Sequence, residues 1–320
     1  MSATSGAAYP GFGARLGEAM ATHGPLCAGV DPHRGLLESW GLAYDLAGLE
    51  RFAMTCVEAF AGEVACVKPQ SAFFEVFGAR GIEVLERTTA AFRDAGTIVI
   101  LDVKRGDIGT TMAAYAEAFL ADDAPGAVDA ITLSPYLGYG SLRPAIDLAA
   151  RTGRGVFVLA LTSNPEGPPL QHARMPEGSV AGSIVEGARD DNAPAAARGE
   201  LGHVGLVIGA TVGTAVTDLG LDLAASAAPI LAPGLGAQGA TAADLHRVFG
   251  AALPQVVANS SRGILGAGSS VAALRHAARR ESEVLRELLA GDGEATGHPR
   301  ETRPPHRAPS HARPGPPGWL

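Results

Sequence analysis

The chain has 320 residues, 47% of them hydrophobic and only 5% aromatic, enough apolar material for one large core or two ordinary ones. Its formal net charge of −8 argues against nucleic acid as the main partner. No apolar run reaches the roughly 18 residues a membrane span needs, and the N-terminus lacks a basic-then-apolar signal, so a cytoplasmic protein with no membrane role is expected.

In chain order, the first apolar run, residues 26–30, reads as a strand and is followed by Asp31-Pro32. Leu49, Phe52, Ala53, Cys56, Val57 and Phe60 then form the stripe of an amphipathic helix. Residues 64–67 are a second strand, followed by Lys68-Pro69-Gln70. Ile82, Leu85 and Phe92 form another helical stripe, and Gly96 supplies its C-terminal stop. Residues 97–101 read as a strand buried on both faces, as in parallel sheets. It runs into Asp102-Val103-Lys104-Arg105-Gly106-Asp107-Ile108-Gly109-Thr110-Thr111. A side-chain period of two puts Asp102 and Lys104 on one face, with Asp107 in the loop beyond. Further strands are expected at 128–133, 156–161, 204–208, 230–232 and 256–258. The segment 165–202 is long for a loop and predicts an extra helix near 179–189. A last helix starts near Ser270 and runs to Gly291. Residues 291–320 carry seven prolines and no periodicity, which predicts a disordered tail.

Eight strands alternating with helices predict an α/β fold, a (β/α)₈ TIM barrel forming a single domain over residues 1–290. A doubly wound open sheet is the alternative. In such barrels the site lies at the C-terminal ends of the strands. There this chain places Asp31, Lys68, Asp102, Lys104, Asp107, Ser163, the glycine-rich 233–239 segment, and Asn259-Ser260-Ser261-Arg262-Gly263. Gly234, Gly236 and Gly239 match the G-x-G-x-x-G spacing of dinucleotide sites. However, they follow the seventh strand, and no acid follows the eighth to bind a ribose hydroxyl. The same glycines serve better as bare amides facing a phosphate monoester, joined by Gly263, with Arg262 as a bidentate fork. Cys27, Cys56 and Cys66 have no C-x-x-C spacing and read as reduced, buried thiols. No metal site and no cofactor is expected.

The segments 28–32, 67–70, 101–111, 161–167, 232–239 and 259–263 together resemble the orotidine 5′-phosphate decarboxylase family, in its longer bacterial branch. The extended D-x-K-x-x-D-I-G-x-T form is the most specific of these. The resemblance implies an alternating array of Lys68, Asp102, Lys104 and Asp107. It implies that Asp107 and Thr111 enter the active site of a partner subunit, so that a homodimer shares its two sites. It further implies Asp31 on the ribose, Ser163 on the pyrimidine edge, and Gln238 with Arg262 on the phosphate. The expected reaction is cofactor-free decarboxylation of orotidine 5′-monophosphate to UMP, the last step of de novo pyrimidine nucleotide synthesis. Its C6 carbanion lies in the ring plane and cannot delocalise into the carbonyls, so a pyridoxal or thiamine sink has no orbital to use. A charged Lys104 beside C6 would stabilise that carbanion and then protonate it. Two rivals remain: a metal-dependent sugar-phosphate decarboxylase or aldolase of the same superfamily, and a non-catalytic barrel that binds a phosphate ligand. The first puts a metal-binding acid after strand two, where this chain has Lys68. The second has no need of two lysines and two acids.

Overall fold

The computed structural model describes residues 10–234 and 242–290. Its eight barrel strands are β1 (Leu26–Val30), β2 (Cys66–Pro69), β3 (Ile98–Arg105), β4 (Ala130–Leu133), β5 (Gly155–Leu161), β6 (Val204–Ile208), β7 (Ile230–Pro233) and β8 (Val256–Ser260). All pair in parallel, each with the next in sequence, and β8 returns to β1 with Leu26 opposite Ala258. That closing pair makes the sheet a barrel and rules out the open doubly wound alternative. Helices pack outside, among them Leu46–Phe60 after β1, Gly78–Asp94 after β2, Gly109–Leu120 after β3 and Val271–Ala290 after β8.

The strands carry two apolar rows because both of their faces are covered. On β3, Val99, Leu101 and Val103 join the layer between sheet and helices. Ile98 and Ile100 instead join a cluster inside the barrel, with Cys27, Cys66, Ala130, Phe157, Leu231 and Val257. The helix Phe12–His23 closes the lower end of the barrel, its Phe12 ring edge-on to Phe157 at 5.9 Å. Gly155 permits that approach, since a Cβ there would lie 2.3 Å from the Phe12 ring. One step of two residues higher, the inward rows turn polar: Lys68 follows Cys66, Asp102 follows Ile100, Thr132 follows Ala130 and Asn259 follows Val257. The interior is thus apolar below and polar at the C-terminal end.

Four strands extend beyond their expected ends, β7 by the single residue Pro233. β2 runs to Pro69, β3 to Arg105 and β8 to Ser260, so Lys68, Asp102, Lys104 and Asn259 stand on strands and not in loops. The apolar run stops earlier than the pairing does, because the polar residues at the barrel mouth satisfy one another. The 165–202 segment holds the expected helix as Val180–Ala196, capped by the Ser179 hydroxyl, which accepts from the Gly182 amide at 3.0 Å. Before it lies an unanticipated hairpin of Arg174–Met175 and Gly178–Ser179. Strands of two residues carry no periodicity by which to find them. Cys27, Cys56 and Cys66 are buried, as read from the sequence. The proposed tail, 291–320, lies outside the described residues.

Candidate active site

Asp102 is the centre of the site, 7% exposed and held from both sides. Its Oδ2 accepts from Lys68 Nζ at 2.7 Å, and its Oδ1 accepts from Lys104 Nζ at 2.6 Å and from the Thr132 hydroxyl at 2.8 Å. Gln70, its amide nitrogen turned inward, donates to Oδ2 and to the Asp102 carbonyl, each at 2.9 Å. Burial favours the neutral acid, but the Lys68 and Lys104 ammoniums outweigh it and hold the Asp102 carboxyl down at about 2. Lys68 is just as enclosed. Burial alone would lower its pKa, and the Asp102 and Asp31 carboxylates reverse that and raise it above the ordinary lysine value. Both groups therefore stay charged at neutral pH.

Lys104 reaches this carboxylate from an unusual backbone. Its φ is +43°, the left-handed region, and the β3–β4 register shifts between Leu101 and Arg105. For a residue with a Cβ that conformation costs about 1–2 kcal/mol. The bulge sits over Thr132, whose hydroxyl accepts from the Val103 amide at 3.1 Å and the Lys104 amide at 2.9 Å. Unlike Lys68, the Lys104 side chain is 46% exposed and opens toward the mouth of the barrel. It is a charged amine fixed in position yet accessible to a ligand.

Beside the array lies a cavity of about 370 Å³, lined by Asp31, His33, Phe73, Pro233, Gly234, Asn259, Ser261 and Arg262 among others. Asp31 Oδ1 is buried there with no hydrogen-bond partner. Gly234 ends β7 at φ +106°, a conformation that glycine adopts without strain. Arg262 and Gly263 are exposed at the end of β8, and Arg262 forms no ion pair among the described residues. The lining of this cavity thus combines a carboxylate with a guanidinium that has no ion pair among the described residues and with glycine backbone, a set suited to a ligand carrying both hydroxyls and an anion. Ser163 is exposed at the end of β5, next to Gly209 beyond β6. Gly236 and Gln238 lie outside the described residues.

Two expected members do not join the array within this chain. Asp107 turns back on its own loop, its Oδ1 accepting from the Ile108 amide at 2.7 Å, and Thr111 is exposed on the helix Gly109–Leu120. Four residues at the site were not singled out from the sequence: Thr132 and Gln70 on Asp102, and His33 and Phe73 on the cavity wall. His33 Nδ1 accepts from the Leu36 amide at 3.2 Å, which caps the short helix behind it. A lone threonine in the apolar run Ala130-Ile131-Thr132-Leu133 was the available signal for Thr132.

The comparisons agree with this geometry. Orotidine 5′-phosphate decarboxylases of Streptomyces coelicolor and Salinispora arenicola are 57% and 58% identical over 282 and 281 residues, covering 87% and 88% of this chain and 98% and 99% of theirs. A crystal structure from Streptomyces avermitilis matches at TM-score 0.84 and 54% identity, over 91% of this chain and all of that one. Leishmania donovani OMP decarboxylase matches at TM-score 0.66 and 32% identity, over 88% of this chain and all of that one. The pattern of the orotidine 5′-phosphate decarboxylase / HUMPS family spans residues 24–277. The barrel, with its Lys-Asp-Lys cluster at the strand ends, belongs to that family.

Proposed function

We propose that this chain decarboxylates orotidine 5′-monophosphate to UMP, with Lys104 as the proton donor. The observation that carries the reading is the Lys68–Asp102–Lys104 triad, two ammoniums on one buried carboxylate at 2.7 and 2.6 Å. In the reaction the C6–carboxylate bond breaks and CO₂ leaves, with the electron pair remaining on C6 in the ring plane. The Lys104 ammonium stabilises that pair by charge and then transfers its proton to C6, and solvent reprotonates the amine afterwards. Asp102, itself held by Lys68, fixes the Lys104 amine in place, so little reorganisation is needed during the step. Asp31 takes the ribose hydroxyls and Ser163 the pyrimidine edge. Gln238, Arg262 and the backbone of Gly234, Gly236 and Gly263 take the phosphate.

A homodimer with shared sites belongs to the same reading. Within the chain the Asp107 carboxylate accepts from its own loop's Ile108 amide, Thr111 is exposed, and apolar Val76, Ile108, Tyr136 and Leu137 are exposed in the segments that follow β2, β3 and β4. A second copy packed there would cover them and bring its own Asp107 to Lys104, completing the array. Work in the cytoplasm fits three buried thiols left unpaired. The metal-dependent alternative is disfavoured by Lys68, since an ammonium on Asp102 Oδ2 opposes a divalent cation there.

The direct experiment is to incubate the purified protein with orotidine 5′-monophosphate in excess chelator and follow the pyrimidine absorbance. Conversion to UMP is expected. Turnover only after a divalent metal is restored would favour the sugar-phosphate type of chemistry.

A further inference from the structure

We infer that Thr132 is a positioning residue for the proton donor, acting through the backbone of Lys104. This rests on the reading of Lys104 given above, and it concerns a buried residue on the neighbouring strand, β4.

Thr132 is 1% exposed, and its one hydroxyl meets three partners on β3. It donates its only proton to Asp102 Oδ1 at 2.8 Å, and its lone pairs accept from the Val103 and Lys104 amides at 3.1 and 2.9 Å. These uses exhaust what a hydroxyl can do. Two successive amides converging on one oxygen is not a parallel ladder, in which amides alternate in direction along the strand. It forces the local kink seen as the register shift between Leu101 and Arg105, and the kink puts Lys104 at φ +43°.

The consequence is chemical. In regular extended backbone Lys104 would simply continue the inward row above Asp102. With the kink, the amine folds back within 2.6 Å of Asp102 Oδ1 while nearly half of its side chain stays open to a ligand. The same oxygen of Asp102 is shared by Thr132 and Lys104, so the hydroxyl fixes both the backbone the lysine hangs from and the carboxylate it points to. Valine has nearly the same shape and cannot accept an amide, so it would leave two buried N–H groups unpaired and let the kink relax.

The test compares Thr132→Val and Thr132→Ser, with binding of UMP and thermal unfolding recorded for each. A displacement of the order of 1 Å at the reacting group lowers rates by about 10²-fold, so Thr132→Val should lose kcat on that scale while KM and UMP affinity stay within about twofold of wild type. Thr132→Ser, which keeps the hydroxyl, should retain kcat within about threefold whatever its melting temperature. A role confined to packing predicts the reverse order, with valine tolerated and serine penalised for the missing methyl. Normal kcat in folded Thr132→Val, or a loss in Thr132→Ser as large as in the valine variant, would overturn the inference. If Thr132→Val does not fold, the serine variant alone decides: retained kcat supports the role and a large loss contradicts it. Wild type that does not turn over orotidine 5′-monophosphate would instead sink the proposed function.

Discussion

Arg262 lines the cavity beside the array and forms no ion pair among the described residues. A cation left in this state stabilises an incoming anion without first breaking an internal ion pair. Because the phosphate is remote from C6, its binding energy can be used to close the site and exclude water, and its loss should appear in the chemical step as well as in binding. Arg262→Ala is therefore expected to lower kcat/KM by about 2–5 kcal/mol, the cost of truncating one side of a desolvated charge pair. Added guanidinium should restore part of the loss by occupying the vacated place. Near-normal kinetics in the variant would put the phosphate elsewhere.

At the scale of elements, the tops of β2, β3 and β4 are joined by charge where the lower rows are joined by apolar contact. Replacing Asp102 by Asn leaves the enclosed Lys68 without the carboxylate it is bonded to, which should destabilise the fold by about 3–5 kcal/mol at neutral pH. The pH dependence has a definite sign. Asp102 is held at about 2 in the folded state, below the roughly 3.9 of an unfolded chain. Its contribution is therefore complete above about pH 4 and is lost as pH falls through about 2, a change of roughly 2–3 kcal/mol. Denaturation of wild type and Asp102→Asn from pH 7 down to pH 2 should show the gap between them narrowing over that interval. A gap independent of pH would mean that the carboxylate is not paired as described.

These same strand ends show how far the sequence could be read. The apolar runs located all eight strands, and the period of two placed Asp102 above Ile98 and Ile100, because burial on both faces leaves an unambiguous pattern. The apolar runs stop short of the ends of β2, β3, β7 and β8, because Lys68, Asp102, Pro233 and Asn259 look like loop residues until their partners across the barrel are known. Thr132 is hard to read for the opposite reason: a β-branched residue in an apolar strand looks like ordinary strand composition. The positive φ of Lys104 has no signature in sequence at all, since it follows from a hydroxyl on the neighbouring strand.

At the scale of the whole molecule, the barrel supplies rigidity and the chain by itself supplies three of the four charges of the expected array. Asp107 lies just beyond β3, its carboxylate bonded to the amide of the exposed apolar Ile108. The sequence pattern D-x-K-x-x-D presents all three residues as one local motif. The fold divides them, because Asp102 and Lys104 lie on β3 and bond to each other while Asp107, beyond the strand, bonds to its own loop. In the proposed homodimer a second copy completes the site, since its own Asp107 loop is identical and a two-fold axis makes the exchange mutual. The most direct measurement mixes two inactive variants, Lys104→Ala and Asp107→Ala, under verified subunit exchange. Each alone should be folded and inactive toward orotidine 5′-monophosphate. In an equal mixture half the dimers are heterodimers with one intact site of two, so about a quarter of the wild-type activity should return. Substantial turnover by Lys104→Ala alone, or a mixture that stays inactive after exchange, would contradict the account.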